Sequence, residues 1–318
     1  MDGGGSIMMK KFILSHGQQF ALTGVIALFC MTFSLTSPYF WDVDNLRNIL
    51  DQSTVNAIAG LGMTLVLTSG VTDLSIGSTA ALVGVLIAMA MRAGLPAWGA
   101  CVLALALGCV AGLWNSFIIV KLNVNPFMGT LTSMSIFSGL ALVITQAEPI
   151  YGLPAAFTWI GRGRLAGIPV SVIICMVVLA IIHIVYDRTR CGTYIVSLGI
   201  NVEALRRCGV NDRLWRTGTF CACGMCAAVV SVLITSRLNC AEPTAGAAMN
   251  LDAIATAVLG GTAPRGGRAA ICGSVLAGVL LALVKNGLTM WGVSSYYQEL
   301  AVGLIILIAI VLSEAQRS

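Results

Sequence analysis

At 318 residues, 58% hydrophobic and 10% charged, with a net charge of +5, the chain cannot be a soluble globular domain. An average soluble domain is roughly 25% charged, and a chain of this length could not hide so much apolar surface from water. Lipid must be the solvent for most of it, so the composition predicts an all-α polytopic membrane protein and leaves no soluble catalytic domain over.

Residues 1–6, MDGGGS, are polar and glycine-rich and read as disordered, and Met8 or Met9 is an alternative start directly before Lys10 and Lys11. Together 1–19 read as a cytoplasmic tail. A basic end followed by the apolar run 20–37 resembles a signal peptide. No small-x-small cleavage site follows it, so it counts as the first retained span. Pro38 and an acidic patch of Asp42, Asp44 and Asp51 come next. Further apolar elements cover 56–69, 75–91, 98–120, 126–146, 168–186, 217–236, 252–260, 270–288 and 298–312. That makes about ten transmembrane helices, the second and eighth short and broken. Pro126 opens the fifth, where a first helical turn tolerates it.

Orientation follows from the basic residues. With ten crossings and an inside N-terminus, Lys10, Lys11, Lys121, the six arginines of 187–216, Arg265, Arg268 and Arg317 fall inside. Arg47, Arg92, Arg162, Arg164 and Arg237 fall outside. The bias fits the positive-inside rule, with Arg162 and Arg164 against it, and puts both termini in the cytoplasm. Eight crossings, with the two short elements not spanning, would also keep both termini inside. An internal echo links Asn56-Ala-Ile-Ala, Gly77-Ser78 and 84–88 (GVLIA) to Asp252-Ala-Ile-Ala, Gly273-Ser274 and 278–282 (GVLLA). It predicts two inverted five-helix halves, the alternative being chance similarity between Ala- and Gly-rich helices.

The segment 187–216 is the longest charged stretch and carries six of the eighteen Lys and Arg residues. Asn201 suits the N-cap of a short helix and Gly209 the left-handed position just past its end. Val202 and Leu205 fall on one face, and Glu203 is placed to pair with Arg206 or Arg207. This is an amphipathic docking element at the membrane face, or else a solvated cytoplasmic loop.

No catalytic apparatus is visible. His16 and His183 are far apart, and Gly260–Gly267 (GGTAPRGG) lacks the Gly-Lys-Ser/Thr of a phosphate loop. Most of the eleven cysteines, including Cys221, Cys223 and Cys226, read as small buried hydrophobes. Asp73, Asp252 and Lys285 lie near the ends of elements, where snorkelling or interface pairing accounts for them. The spans offer neutral polar groups instead: Asn56, Thr64, Ser78, Asn115, Thr256, Ser274 and Asn286. Such groups either hydrate a path for an uncharged hydroxyl-rich solute or bond helix to helix.

Several stretches, in order, resemble the permease subunits of bacterial ABC importers for ribose, xylose, galactose and related sugars, most closely the ribose type. They are 48–58 (NILDQSTVNAI), 62–66 (GMTLV), 73–78 (DLSIGS), 199–206 (GINVEALR) with Gly209-Val210, 243–246 (PTAG), 251–255 (LDAIA), 258–262 (VLGGT), 286–288 (NGL) and 292–298 (GVSSYYQ). The resemblance covers about 45–312. It implies one permease domain of about ten helices in the inner (plasma) membrane, importing a ribose-like monosaccharide. It also implies a second permease copy or relative, two ATPase subunits that hold ATP and Mg, and a periplasmic or lipid-anchored sugar-binding protein. The chain itself would bind no cofactor and catalyse nothing. In that family the segment matching 199–209 is the cytoplasmic coupling helix, which points to Gly199, Asn201, Glu203, Ala204, Arg206, Arg207 and Gly209 as the contact with the ATPase. The chain departs from the family at 69–73 (SGVTD for TGGID), at 260–267 (GGTAPRGG for GGTSLxGG) and at Lys285, where a neutral residue is common. These departures bear on the sugar and on pairing with a non-identical permease. The competing class is a stand-alone carrier coupled to a proton or sodium gradient. A membrane-embedded enzyme would need a titratable cluster.

Overall fold

A computed structural model describes the backbone of residues 3–315 and the side chains of 17–304 and 307. Residues 1–2 and Arg317 lie outside the described residues. Where lipid replaces water, each backbone group must find its partner within the chain, and helices do this locally. Among the described residues run α1 (Gly3–Thr36), α2 (Val43–Thr68), α3 (Ile76–Arg92), α4 (Ala97–Ser116), α5 (Pro126–Thr145), α6 (Ala155–Arg162), α7 (Val170–Arg188), α8 (Arg190–Ile200), α9 (Val202–Arg207), α10 (Asp212–Leu238), α11 (Met249–Leu259), α12 (Ile271–Met290) and α13 (Ser295–Ala315). A π turn, Phe117–Lys121, prolongs α4. The sheet content is two antiparallel pairs of two-residue strands, Ile150–Tyr151 with Cys240–Ala241 and Arg164–Leu165 with Ile168–Pro169. Gly17–Thr36, Ala97–Lys121, α5, α7, α10 and α12 are each long and apolar enough to cross a bilayer. With 11 residues, α11 is about 16 Å long and cannot cross a core of about 30 Å by itself.

Two expectations fail at the N-terminal end. Residues 3–6 are not disordered but belong to α1, so the tail is helical and continuous with the first span. The second element is not short. It begins at Val43, where the Asp42 carboxylate accepts the Asp44 backbone N–H, and runs for 26 residues. Its polar first half finds partners across the bundle: Asn45 accepts from Asn286, and Asp51 accepts from Ser171.

α2 is the central helix. Every residue from Asn56 to Thr68 is buried, which requires neighbours on all sides, and α7, α8, α10, α11 and α12 supply them. Glycines let the main chains approach. A Cβ on Gly278 would lie 2.8 Å from the Ala57 backbone N, and one on Gly108 would lie 2.3 Å from the Gly224 carbonyl O. The most extensive helix contacts are α10 with α4 and α2 with α12. They interconvert when α2 is exchanged with α10, α3 with α11, α4 with α12 and α5 with α13. The α3–α10 and α2–α11 contacts exchange in the same way, as do α3–α5 and α11–α13. Thr64-Leu-Val-Leu-Thr-Ser69 and Ser231-Val-Leu-Ile-Thr-Ser236 occupy matching places near the ends of α2 and α10. The N-terminal end of α2 shares a cleft with the C-terminal end of α10, so the two halves are antiparallel.

This pattern corrects the echo read in the sequence, which lined α2 up with α11 and α3 with α12, a slip of one helix. The halves hold four helices each. α1 packs chiefly on α12 and α7 on α2, contacts that the exchange does not interconvert.

Because the Gly224 Cβ position lies 2.1 Å from the Gly108 carbonyl O, Gly224→Val forces α4 and α10 apart. The expected loss is about 1–3 kcal/mol, read as a lower thermal midpoint in detergent, whereas Gly139→Ala, with nothing within 4 Å, leaves the midpoint unchanged.

Candidate functional site

The charged stretch 187–216 is mostly helical: its first residues end α7, its last begin α10, and α8 and α9 fill the middle. α9 is bounded as its residues dictate. Asn201 is extended (φ −159°), and its side-chain oxygen accepts the Ala204 N–H at 3.0 Å. Gly209 takes φ +77°, and the Val210 N–H closes back on the Leu205 carbonyl. Leu205 is buried and Val202 half-buried, so the helix stands on its apolar face. Asn201, Glu203, Ala204, Arg206, Arg207 and Gly209 are exposed.

Arg206 does not pair with Glu203. Its Nε and terminal nitrogen reach the two carboxylate oxygens of Asp212, each at 2.9 Å. That hydrogen-bonded carboxylate holds the Arg206 guanidinium above its ordinary pKa. The fork ties α9 to the first residue of α10, and the Tyr194–Trp215 ring contact, 5.0 Å between centroids, ties α8 to α10 as well.

Gly199 faces inward rather than outward. A Cβ there would lie 2.1 Å from the Thr68 carbonyl O and 2.3 Å from the Gly267 N. Gly266 and Gly267, at φ +90° and +80°, bring the α11–α12 turn onto the same spot, and the Gly267 N–H donates to the Thr68 carbonyl at 2.9 Å. The end of α2, the end of α8 and the α11–α12 turn therefore meet main chain to main chain.

The seven neutral polar groups are all buried, and none of them lines the cleft shared by α2 and α10 or the cavity between α3 and α10. Thr64 and Ser274 meet at 2.7 Å between α2 and α12, with Thr262 within 3.4 Å of Thr64. The hydroxyls of Thr256 and Ser78 bond to the backbone of their own segments, at the Asp252 and Ser75 carbonyls. Asn286 donates to Asn45. Asn115 donates to Ser75 Oγ at 2.7 Å and lies 3.3 Å from both oxygens of Asp73. Asn56 makes no side-chain hydrogen bond among the described residues.

The sequence reading missed Ser231 and Thr235, which line a cavity of about 10 Å³ between α3, α10 and residues 242–249. The repeat of 64–69 at 231–236 was the signal for them. The ionisable groups that lie near the ends of elements, Asp73, Asp252 and Lys285, are all bonded. Asp73 is 2% exposed and accepts from the Ser75 N–H and Oγ, while Asp252 pairs with Lys285 between α11 and α12.

A family model described as the permease component of a branched-chain amino acid transport system matches residues 45–310. The chain belongs to this permease family. Within the family, the ribose import permease protein RbsC of Escherichia coli K12 is 38% identical over 313 residues, covering 97% of this chain and 96% of the relative. RbsC of Bacillus subtilis 168 is 36% identical over 307 residues, 95% of each. The D-allose transport system permease protein AlsC of E. coli K12 is 33% identical over 299 residues, 93% of this chain and 90% of the relative.

Removing one partner of the Asp252–Lys285 pair strands a charge in the bundle. Lys285→Met should destabilise by about 3–5 kcal/mol, and Lys285→Met with Asp252→Leu should recover most of that. Thermal midpoints of the detergent-solubilised variants measure both.

Proposed function

We propose that this chain is the membrane permease of an ATP-driven importer of a monosaccharide, ribose or a related sugar. It would act as one of a pair, with separate ATPase subunits that hold ATP and Mg and a solute-binding protein that delivers the sugar. The observation that carries this is nearly full-length similarity to sugar import permeases. The family description alone names branched-chain amino acids. Each of those relatives carries a ribose or allose name, and the spans offer hydroxyls and amides suited to an uncharged solute.

In this reading α9 is the cytoplasmic peg for the ATPase, with Glu203, Ala204 and Arg207 as its contact face and both termini on the same side of the membrane. Asn201 and Gly209 fix its ends, Arg206 anchors it to α10, and Gly199 seats the preceding helix on α2. A push on α9 then reaches α10 through Asp212 and α2 through Thr68, the two central helices that exchange between the halves. Relative rocking of packed helices opens and closes the path. Thr64 and Ser274, sealed together between α2 and α12, and Ser231 at the matching place in α10 are the hydroxyls such a motion would uncover.

An ion-coupled carrier has less support. It needs an ionisable group free to change its charge along the path, whereas Asp252 is tied to Lys285 and Asp73 accepts hydrogen bonds from Ser75 and Asn115.

The test is Ala204→Asp with Arg207→Glu. The permease should insert at its normal level and lose most of the co-purifying ATPase, while Arg207→Lys retains it. Undiminished ATPase recovery with the double variant would contradict the role given to α9.

A further inference from the structure

On the orientation that the basic residues give, Arg92 ends α3 at the outer face, where it shares a cavity of about 300 Å³ with Glu148. The last turn of α3, the last turn of α5 and the chain leading into the Ile150–Tyr151 strand form its walls. Each charge is held by local chemistry. A terminal nitrogen of Arg92 donates to the Tyr151 carbonyl at 3.0 Å, which fixes the guanidinium against the strand. α5 ends in a tight reversal, with Gln146 and Ala147 at φ +55° and +62°, a left-handed pair uncommon without glycine. The Ala147 N–H closes that turn on the Leu142 carbonyl, and the chain beyond it brings Glu148 into the lining.

Opposite charges in one cleft attract each other. Here Arg92 and Glu148 form no ion pair, with each other or with any other described residue. The cavity therefore keeps a cation and an anion that both lack a counterion. It is also layered. Met89 lies one turn below Arg92 on the same face of α3, and Ile144 stands in the last turn of α5, on the bilayer side of Glu148. Both are exposed, apolar and part of the lining. Trp98, in the first turn of α4 just past the end of α3, is largely exposed too, and tryptophan at the end of a span marks the level of lipid headgroups.

We propose that this cleft binds a phospholipid whose headgroup carries a primary amine, phosphatidylethanolamine. The guanidinium takes the phosphate, the carboxylate takes the ammonium, and the acyl chains run down over Met89 and Ile144. A choline headgroup has the positive charge but no N–H to donate, and a glycerol headgroup has no positive charge. An uncharged sugar uses neither residue. A second copy of the chain is the competing cover, and lipid is favoured because both charges lie at headgroup depth with apolar groups on their bilayer side. Tyr151 pairs with Cys240 just past α10, so a lipid held here also fastens the outer ends of α3, α5 and α10 together.

The experiment uses the full-length permease, purified in a maltoside detergent and stripped of lipid. It is offered dioleoyl phosphatidylethanolamine, phosphatidylcholine and phosphatidylglycerol in equal amounts, and native mass spectrometry counts the lipid retained. Phosphatidylethanolamine should exceed each of the others by about fivefold, the preference that one exposed ion pair supplies. Glu148→Gln should retain phosphatidylethanolamine and phosphatidylcholine equally, and Arg92→Gln should retain less of all three lipids. The Glu148 side chain makes no hydrogen bond or ion pair among the described residues, so its variant should match the unmutated thermal midpoint before lipid is added. A Glu148→Gln protein that keeps the fivefold preference overturns the site. So does an unmutated protein that prefers phosphatidylglycerol or takes the three lipids equally. If neither substitution changes the lipid counts while Arg92→Glu splits a permease dimer, the cleft belongs to the second copy and the lipid site is overturned.

Discussion

Where α2 crosses α12, where α4 crosses α10, and where α2, α8 and the α11–α12 turn converge, peptide backbone lies directly against peptide backbone. In lipid there is no hydrophobic push between helices, so close packing and buried hydrogen bonds must supply the attraction. Glycine allows the approach by contributing no side chain. The depth of the α2 core, the hydroxyl pair of Thr64 and Ser274, and the seat under α8 all follow from that closeness. An added methyl group at these points does not simply fill a gap, because it meets a carbonyl or an amide that cannot turn aside.

The same contacts decide which parts can move together. α9 is short, but it is fixed at both ends by its own residues and locked by Arg206 to Asp212. It cannot shift without taking the first turn of α10 with it. The preceding residue pair, Gly199 and Ile200, is pressed onto the end of α2 and onto Gly267. One small surface therefore addresses both central helices, and because these run antiparallel they present opposite ends to it.

Much of this was legible in the sequence, and the failures share a cause. The all-helical membrane class followed from composition, and the ends of α9 followed from Asn201 and Gly209, since both are local chemistry. The length of α2 was hidden because Asp44, Asn45, Arg47, Asn48 and Asp51 break the apolar pattern, and the partners that Asn45 and Asp51 find, Asn286 and Ser171, lie far away in the chain. Arg206 was misassigned because helical spacing sees only Glu203, while Asp212 lies beyond the Gly209 turn. The internal repeat was misread by one helix because Ala- and Gly-rich segments resemble one another regardless of descent. The better marker was the six-residue match at 64–69 and 231–236. The cleft between the N-terminal end of α2 and the C-terminal end of α10 brings Arg47, Arg162, Arg164 and Arg237 together, and that gathering had no local sign at all.

The central place of α2 has a consequence for how the protein is made. Its enclosing neighbours α10, α11 and α12 leave the ribosome long after α2 has entered the bilayer. During that interval the hydroxyls of Thr64 and Thr68 can bond within their own helix, as they do in the finished bundle. The side-chain oxygen of Asn45, which later accepts from Asn286, and the whole glycine-bearing flank have only lipid or the insertion machinery beside them. α2 must therefore be held as an incomplete surface through most of synthesis, and the second half of the chain closes over it only at the end.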